Sequence, residues 1–314
     1  MNSSSPSQCQ LRFSRGWVDS AVMARVMRDA GKLHYEHVQA VHIILSCGCG
    51  IMVDAGTQLL SLVNQLAEGG RDVTLCFEDG YSGAMGYLHR IAFFDLLHSS
   101  VKTTPPRPKM SALAMAGSNP NVVEFKRICP LNRDRNTPSL LADALEGACQ
   151  SRTDCKSLGH AAFTVFGELI DNIYEHSETE IDGYAALQVY KGGNGVLVSV
   201  SDSGRGLLET LRPSLPHNSP YAQTSDTALI LQMLNAGLSR LEQDNPERGL
   251  GLCSCADHAL KYSGQLTLRL STSSLRVMPN RQTSQTYDGI AHCFDGLPFI
   301  QGTHFAFRFQ LQTA

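Results

Sequence analysis

Charge is scarce in this sequence. Asp, Glu, Lys and Arg make up 18% of its 314 residues, and the formal net charge is −3. A pI near 6.4 leaves no basic excess, so composition argues against a strong nucleic-acid footprint. Long apolar runs are missing as well: none approaches the roughly 18–20 residues of a membrane span. Residues 1–10 are polar and Ser-rich, without the apolar stretch of a secretory signal, so a cytoplasmic location is expected and the Asn2-Ser3-Ser4 sequon carries no weight. No G-x-x-x-x-G-K-[ST] occurs, which removes the P-loop class. Nor is there a C-x-x-C: the ten cysteines include only the C-x-C pairs Cys47/Cys49 and Cys253/Cys255, with no His pair at zinc-finger spacing behind them. Buried, reduced thiols are expected. Gly48-x-Gly50 imitates a dinucleotide fingerprint, but Val53 stands where the third glycine is required.

What is present is 42% hydrophobic residues in periodic order, enough for two globular domains. Residues 20–30, 57–67 and 85–97 have helical periodicity, and 57–67 carries Leu59, Leu60, Val63 and Leu66 on one face and stops at Gly69 and Gly70. Residues 41–45 and 73–77 are strand-like, so the first part predicts a small parallel α/β layer. Residues 99–121, rich in Ser, Thr and Pro, predict a linker; 121–128 an edge strand; 130–138 a connector. The expected division is 1–130 and 131–314, with a margin of about ten residues.

In the second part, residues 159–177 form a helix with Phe163, Phe166, Leu169, Ile170 and Ile173 at core spacing, and Glu168, Asn172 and His176 four apart on one side. Residues 195–201 alternate as a strand with one buried face, then run into Asp202-Ser203-Gly204-Arg205-Gly206. After a Pro-containing stretch with a helix at 227–236 come Arg248-Gly249-Leu250-Gly251-Leu252, a helix ending at Gly264, a strand at 265–270, and Gly302-Thr303 opening a last strand. His304 is expected on that strand's surface. Glycines that open a helix leave its first N–H groups free to meet phosphate.

These four segments, in this order, resemble the ATP-binding boxes of the superfamily of gyrase, heat-shock chaperone, histidine kinase and mismatch-repair ATPases (GHKL). The string E-L-I-D-N-I-Y-E-H-S is closest to the anti-sigma-factor serine kinases. The resemblance implies a Bergerat-type α/β sandwich, with a mixed sheet, helices on one face, and residues 207–247 as lid. It implies ATP and Mg²⁺ as cofactors: Asn172 as the Mg²⁺ ligand, Glu168 as the base that orients or deprotonates the attacking oxygen, and Asp202 accepting from the adenine amino group. Gly204 and Gly206 would lie against the base, Gly249, Gly251 and Arg248 against the phosphates, Thr303 near adenine, and His176 beside the nucleotide.

Residues 38–100 resemble a STAS domain, the fold of bacterial anti-anti-sigma factors, through Val53-Asp54-Ala55-Gly56 and the flanking strands and helices. Where that family carries a phosphorylatable serine, this chain has Ala55. The domain would then be a regulatory or interaction module, one version being a pseudo-substrate that holds the ATP site shut. A protein partner is expected and a homodimer is allowed. Three uses of the nucleotide stay open: an ATPase switch, phosphoryl transfer to a Ser or Thr of a partner, or a gated binding module with little turnover.

Overall fold

The fold follows from two strand patterns, one apolar throughout and one alternating. In the computed structural model, residues 7–31, 33, 37–176, 178–215, 223–236, 250–279 and 289–312 are described. The first part runs β1 (Ser7–Phe13), β2 (Gly16–Val18), α1 (Ser20–Ala30), β3 (Val38–Leu45), β4 (Cys49–Ile51), α2 (Val53–Glu68), β5 (Asp72–Phe77), α3 (Ala84–Arg90) and β6 (Lys102–Thr104). Strands β1-β3-β5-β6 form a parallel sheet, as the helix–strand alternation predicts. β1 was not legible from its Ser-rich surroundings, and β6 lies inside the expected linker. The helix expected at 85–97 ends at Arg90, because Ala92 turns left-handed at φ 63° and a short 3₁₀ turn follows.

The second part runs β7 (Val122–Ile128), α4 (Thr137–Ala148), α5 (Cys155–His176), β8 (Gly183–Tyr190), β9 (Gly195–Ser201), α6 (Leu207–Leu211), α7 (Asp226–Ala236), α8 (Leu250–Lys261), β10 (Gln265–Arg269), β11 (Ser274–Pro279), β12 (Gly289–Phe294) and β13 (His304–Gln310). Its seven strands lie in the order β12-β11-β10-β13-β9-β8-β7. Every neighbouring pair is antiparallel, so the expected mixed sheet is corrected. The sheet takes its first strand from Val122, just ahead of residue 130.

One face of this sheet is covered by α4, α5, α7 and α8. Val196, Val198, Val200, Leu266, Leu268, Phe307 and Phe309 meet Leu145, Val165, Phe166, Leu169, Ile173, Leu229 and Met233 there. Phe163 is the exception on α5, at 53% exposed. Arg152 ties the ends together, donating to Asp154, to the carbonyl of Tyr262 at 3.0 Å and to that of Gln310 at 3.1 Å.

The other face is not open. It packs against α2, whose residues 53–67 are all buried between the two sheets. The apolar side, with Leu59, Val63 and Leu66, meets the parallel sheet. The other side is a stripe of Asp54, Thr57, Gln58, Ser61, Asn64 and Gln65 at spacings of three and four, one helical face. Uncharged hydroxyls and amides dominate it, and they bond across the seam: Thr57 Oγ1 lies 2.7 Å from Ser199 Oγ, Asn64 donates to Tyr184 Oη at 2.6 Å, and Tyr190 Oη accepts from the N–H of Val53 at 2.9 Å. β9 is therefore buried on both faces, not one.

No disulfide joins the described cysteines; Cys9, Cys49, Cys149 and Cys255 are buried, while Cys47 and Cys293 are exposed, against expectation. No helix among the described residues is long and apolar enough to cross a membrane.

Candidate functional site

β9 and β13 are neighbours, so the segment leaving one and the segment entering the other must meet. The N–H of Asp202 donates to Thr303 O at 2.8 Å, and the Thr303 hydroxyl accepts from the N–H of Leu207 at 2.9 Å. Residues 202–206 and 302–303, a hundred positions apart, thus form one layer of backbone. Glycine is required at two points of it. Gly302 has φ 93° and a Cβ there would overlap Asp202 O; Gly206 has φ 83° and a Cβ would sit 3.2 Å from Gly302 O.

Asp202 folds back on its own loop, accepting from the N–H of Gly204 at 2.7 Å. Burial pushes its carboxyl up to about 6, opposed by N–H groups of Gly204, Ser203 and Thr303 that favour the charged form. At neutral pH the anion still predominates, as a partly buried acceptor. Ser203 beside it is fully buried, and Thr303 is 5% exposed. Arg205 is exposed and pairs with Glu178, just beyond α5, at 2.6 Å. That exposed pair adds little stability, but it connects the loop to the end of the helix that carries Glu168 and Asn172.

On α5 these two residues lie one turn apart. Glu168 is half-buried, and its Oε2 is buried with no hydrogen-bond partner among the described residues. An unpaired carboxylate oxygen at such a site is costly. Asn172 and Asp171 are exposed. α5 packs against both β9 and α8, and α8 in turn packs on β10 and β11 of the same sheet; Gly251 stands in the first turn of α8. Arg248 and Gly249 lie outside the described residues, and so does the side chain of His176. Of the expected lid, residues 216–222 and 237–247 lie outside them too. The described α7 is no free flap, because Leu229, Ile230, Met233 and Leu234 are buried in the core.

Two expectations fail on burial. His304 is not on a strand surface: it is 1% exposed, and burial followed by the charge of Arg269 pulls its imidazole down to about 3. Ala55 is 0% exposed near the start of α2, so it does not project as a pseudo-substrate. Its helix reaches the loops only about 15 Å further on, at Gln65.

Other residues beside the loops were not singled out by any motif. Gln65 bonds Ser203 of the first segment and Gln301, the residue before the second, and the fully buried Arg269 donates to the carbonyls of Leu270, Ser273 and Pro298, holding the chain that leads to Gly302. The signal for Gln65 lay in the uncharged polar stripe of α2. A polar cleft of about 210 Å³, lined by Glu68, His98, Arg127 and Asp182 among others, contains none of the expected site residues. Among the described residues no group of three or more His, Cys, Asp or Glu could hold a metal. Comparison with protein families, curated proteins and solved structures found no match.

Proposed function

We propose that this chain is a Mg²⁺·ATP-binding regulatory protein of GHKL type, which hydrolyses ATP or passes its γ-phosphate to a Ser or Thr of a partner. One observation carries the reading. Asp202 and Thr303, distant in sequence, are locked into one layer in which Gly302 and Gly206 let the two backbones lie against each other, beside a partly buried carboxylate. A carboxylate accepting from the exocyclic amine favours adenine over guanine.

Glu168 and Asn172 supply the other end. The unpartnered Oε2 of Glu168 is a base in want of a proton donor. It would take the proton from water or a hydroxyl as that oxygen attacks the γ-phosphorus, while the bond to the β–γ bridging oxygen breaks and ADP leaves. The exposed amide oxygen of Asn172 suits a hard cation that keeps several waters; Mg²⁺ there would neutralise phosphate charge. The N-terminal part is the regulatory or interaction module in this reading.

γ-Labelled ATP with wild type, Glu168→Ala and Asn172→Ala tests it. Phosphate release lost in Glu168→Ala supports hydrolysis, and label on a co-purified protein supports the kinase. Tight binding with neither product leaves a gated module; no binding sinks the reading. Asp202 adds a pH signature: Kd for ATP rises as pH falls through about 6, where the carboxylate is protonated. Asp202→Asn binds weakly at every pH. Isothermal titration between pH 5 and 8 checks both.

A further inference from the structure

The two loops of the candidate site are joined from behind by one side chain that belongs to the other half of the molecule. Gln65, in the last turns of α2, accepts from the N–H of Gln301 at 3.0 Å through its Oε1. Its Nε2 donates to Gln301 O at 3.0 Å and to Ser203 Oγ at 3.2 Å. The amide therefore grips both backbone groups of the residue preceding Gly302 and, with its remaining proton, the residue following Asp202. Gln65 is 6% exposed and Ser203 0%, so water does not compete for these contacts.

We propose that Gln65 is a positioning residue for the nucleotide loops, and that through it the parallel-sheet half of the chain sets the affinity for the adenine end. The inference rests on the nucleotide reading of the 202–206 and 302–303 layer. Glycine-rich loops with positive φ are free to take other conformations, and an amide that holds both against a buried helix removes that freedom before any ligand arrives. The opposite side of α2 lies in the core of the β1-β3-β5-β6 sheet. A displacement of that sheet or of its helix is thus carried to the loops by a rigid element, and by linkage an occupied site must favour one placement of α2.

Asn64 provides the control. It is the neighbouring buried amide on the same helix and makes three contacts of the same kind, but to Leu96 O, Tyr184 Oη and the N–H of His98, away from the loops. The experiment compares wild type, Gln65→Leu and Asn64→Leu in the full chain. Nucleotide affinity is measured with ATP, ADP and adenosine, and backbone amide hydrogen exchange is followed on the nucleotide-free proteins. Gln65→Leu is expected to weaken all three ligands by the same factor, about tenfold, because the loss is at the base end, and to speed exchange across 202–206 and at Gln301. Asn64→Leu is expected to lower the thermal midpoint while leaving affinity and loop exchange as in wild type.

Unchanged affinity and exchange in Gln65→Leu would overturn the proposal. So would equal losses in both variants, which would mean a general loosening, or a loss confined to ATP, which would place the effect at the phosphates. If wild type binds none of the three ligands, the nucleotide reading and the affinity claim fall together. Loop exchange then still decides whether Gln65 holds the two segments.

Discussion

The seven-stranded sheet has two faces, built from alternate residues of the same strands, and they are made differently. Val196, Val198 and Val200 of β9 with Phe307 and Phe309 of β13 point to one side and join the apolar cluster formed with the helices. Leu197, Ser199 and Ser201 of β9, Thr267 and Arg269 of β10 and His304 of β13 point to the other, which α2 covers at β8, β9 and β13 and where Arg269 meets the carbonyls of Leu270, Ser273 and Pro298. The first face is a core in the ordinary sense, non-directional and tolerant of detail. The second is a seam of directed contacts, and some of its buried polar atoms, such as Gln58 Oε1, Ser61 Oγ and Ser201 Oγ, find no partner among the described residues. Unsatisfied buried groups weaken a fold, so the seam contributes less stability than its buried area suggests. What it adds is placement: a hydrogen-bonded helix has one register against the sheet, whereas an apolar one can slide.

The largest break in this comparison comes from the apolar face. Phe307 is 1% exposed and lies edge-on to Phe166 with centroids 5.8 Å apart. Phe307→Ala is expected to cost about 3–5 kcal/mol of unfolding free energy, read from urea denaturation. A cost near 1 kcal/mol would mean that the helix-side core is not where stability resides.

Next in size is an effect that only the polar seam can produce. His304 stays neutral in the fold because burial and Arg269 pull it down to about 3, while in the unfolded chain it titrates at its usual 6.5. Below pH 6.5 the unfolded state takes up a proton that the folded state refuses. Stability therefore falls with pH from 6.5 toward 3, by about 3 kcal/mol at pH 4. His304→Gln is expected to flatten that limb, measured as urea midpoints from pH 7.5 to 4. Parallel curves for variant and wild type would show that the seam is not acid-labile.

The apolar face was the more legible of the two. Periodicity of apolar residues marks β3, β5, α5, β9 and the cores they feed, since burial among apolar neighbours is what that pattern encodes. The meeting of 202–206 with 302–303 was expected only from the resemblance, since nothing local pairs β9 with β13. What periodicity could not give was the destination of polar faces. The stripe on α2 has the spacing of a solvent face, and only its lack of Lys and Arg hints otherwise. His304 looked like a surface residue because the strand alternates, but alternation assigns a side, and the second side here is covered. β1 alternates Cys9, Leu11 and Phe13 with Gln8, Gln10 and Arg12, a short signal hidden beside a Ser-rich start. α4 was missed: its first two residues close the expected connector 130–138, and Pro138 opens the helix, a position where proline is tolerated.

The smallest effect bears most directly on how the seam holds. Thr57 Oγ1 lies 2.9 Å from Asp54 O and 2.7 Å from Ser199 Oγ, and Ser199 Oγ lies 3.1 Å from Phe305 O. Two hydroxyl protons face three contacts, so at most two of the three are hydrogen bonds at any moment. If the cross-seam contact holds one of the protons, Thr57→Val and Ser199→Ala should each cost about 1 kcal/mol. The double variant should then cost less than their sum by roughly 0.5 kcal/mol or more, because it removes donor and acceptor together. Strict additivity in urea melts would mean that both protons go to backbone carbonyls and the 2.7 Å approach is mere contact. The polar seam would then owe its register to the amides of Asn64 and Gln65 at the far end of α2, and the division between an apolar face that stabilises and a polar face that positions would narrow to those two side chains.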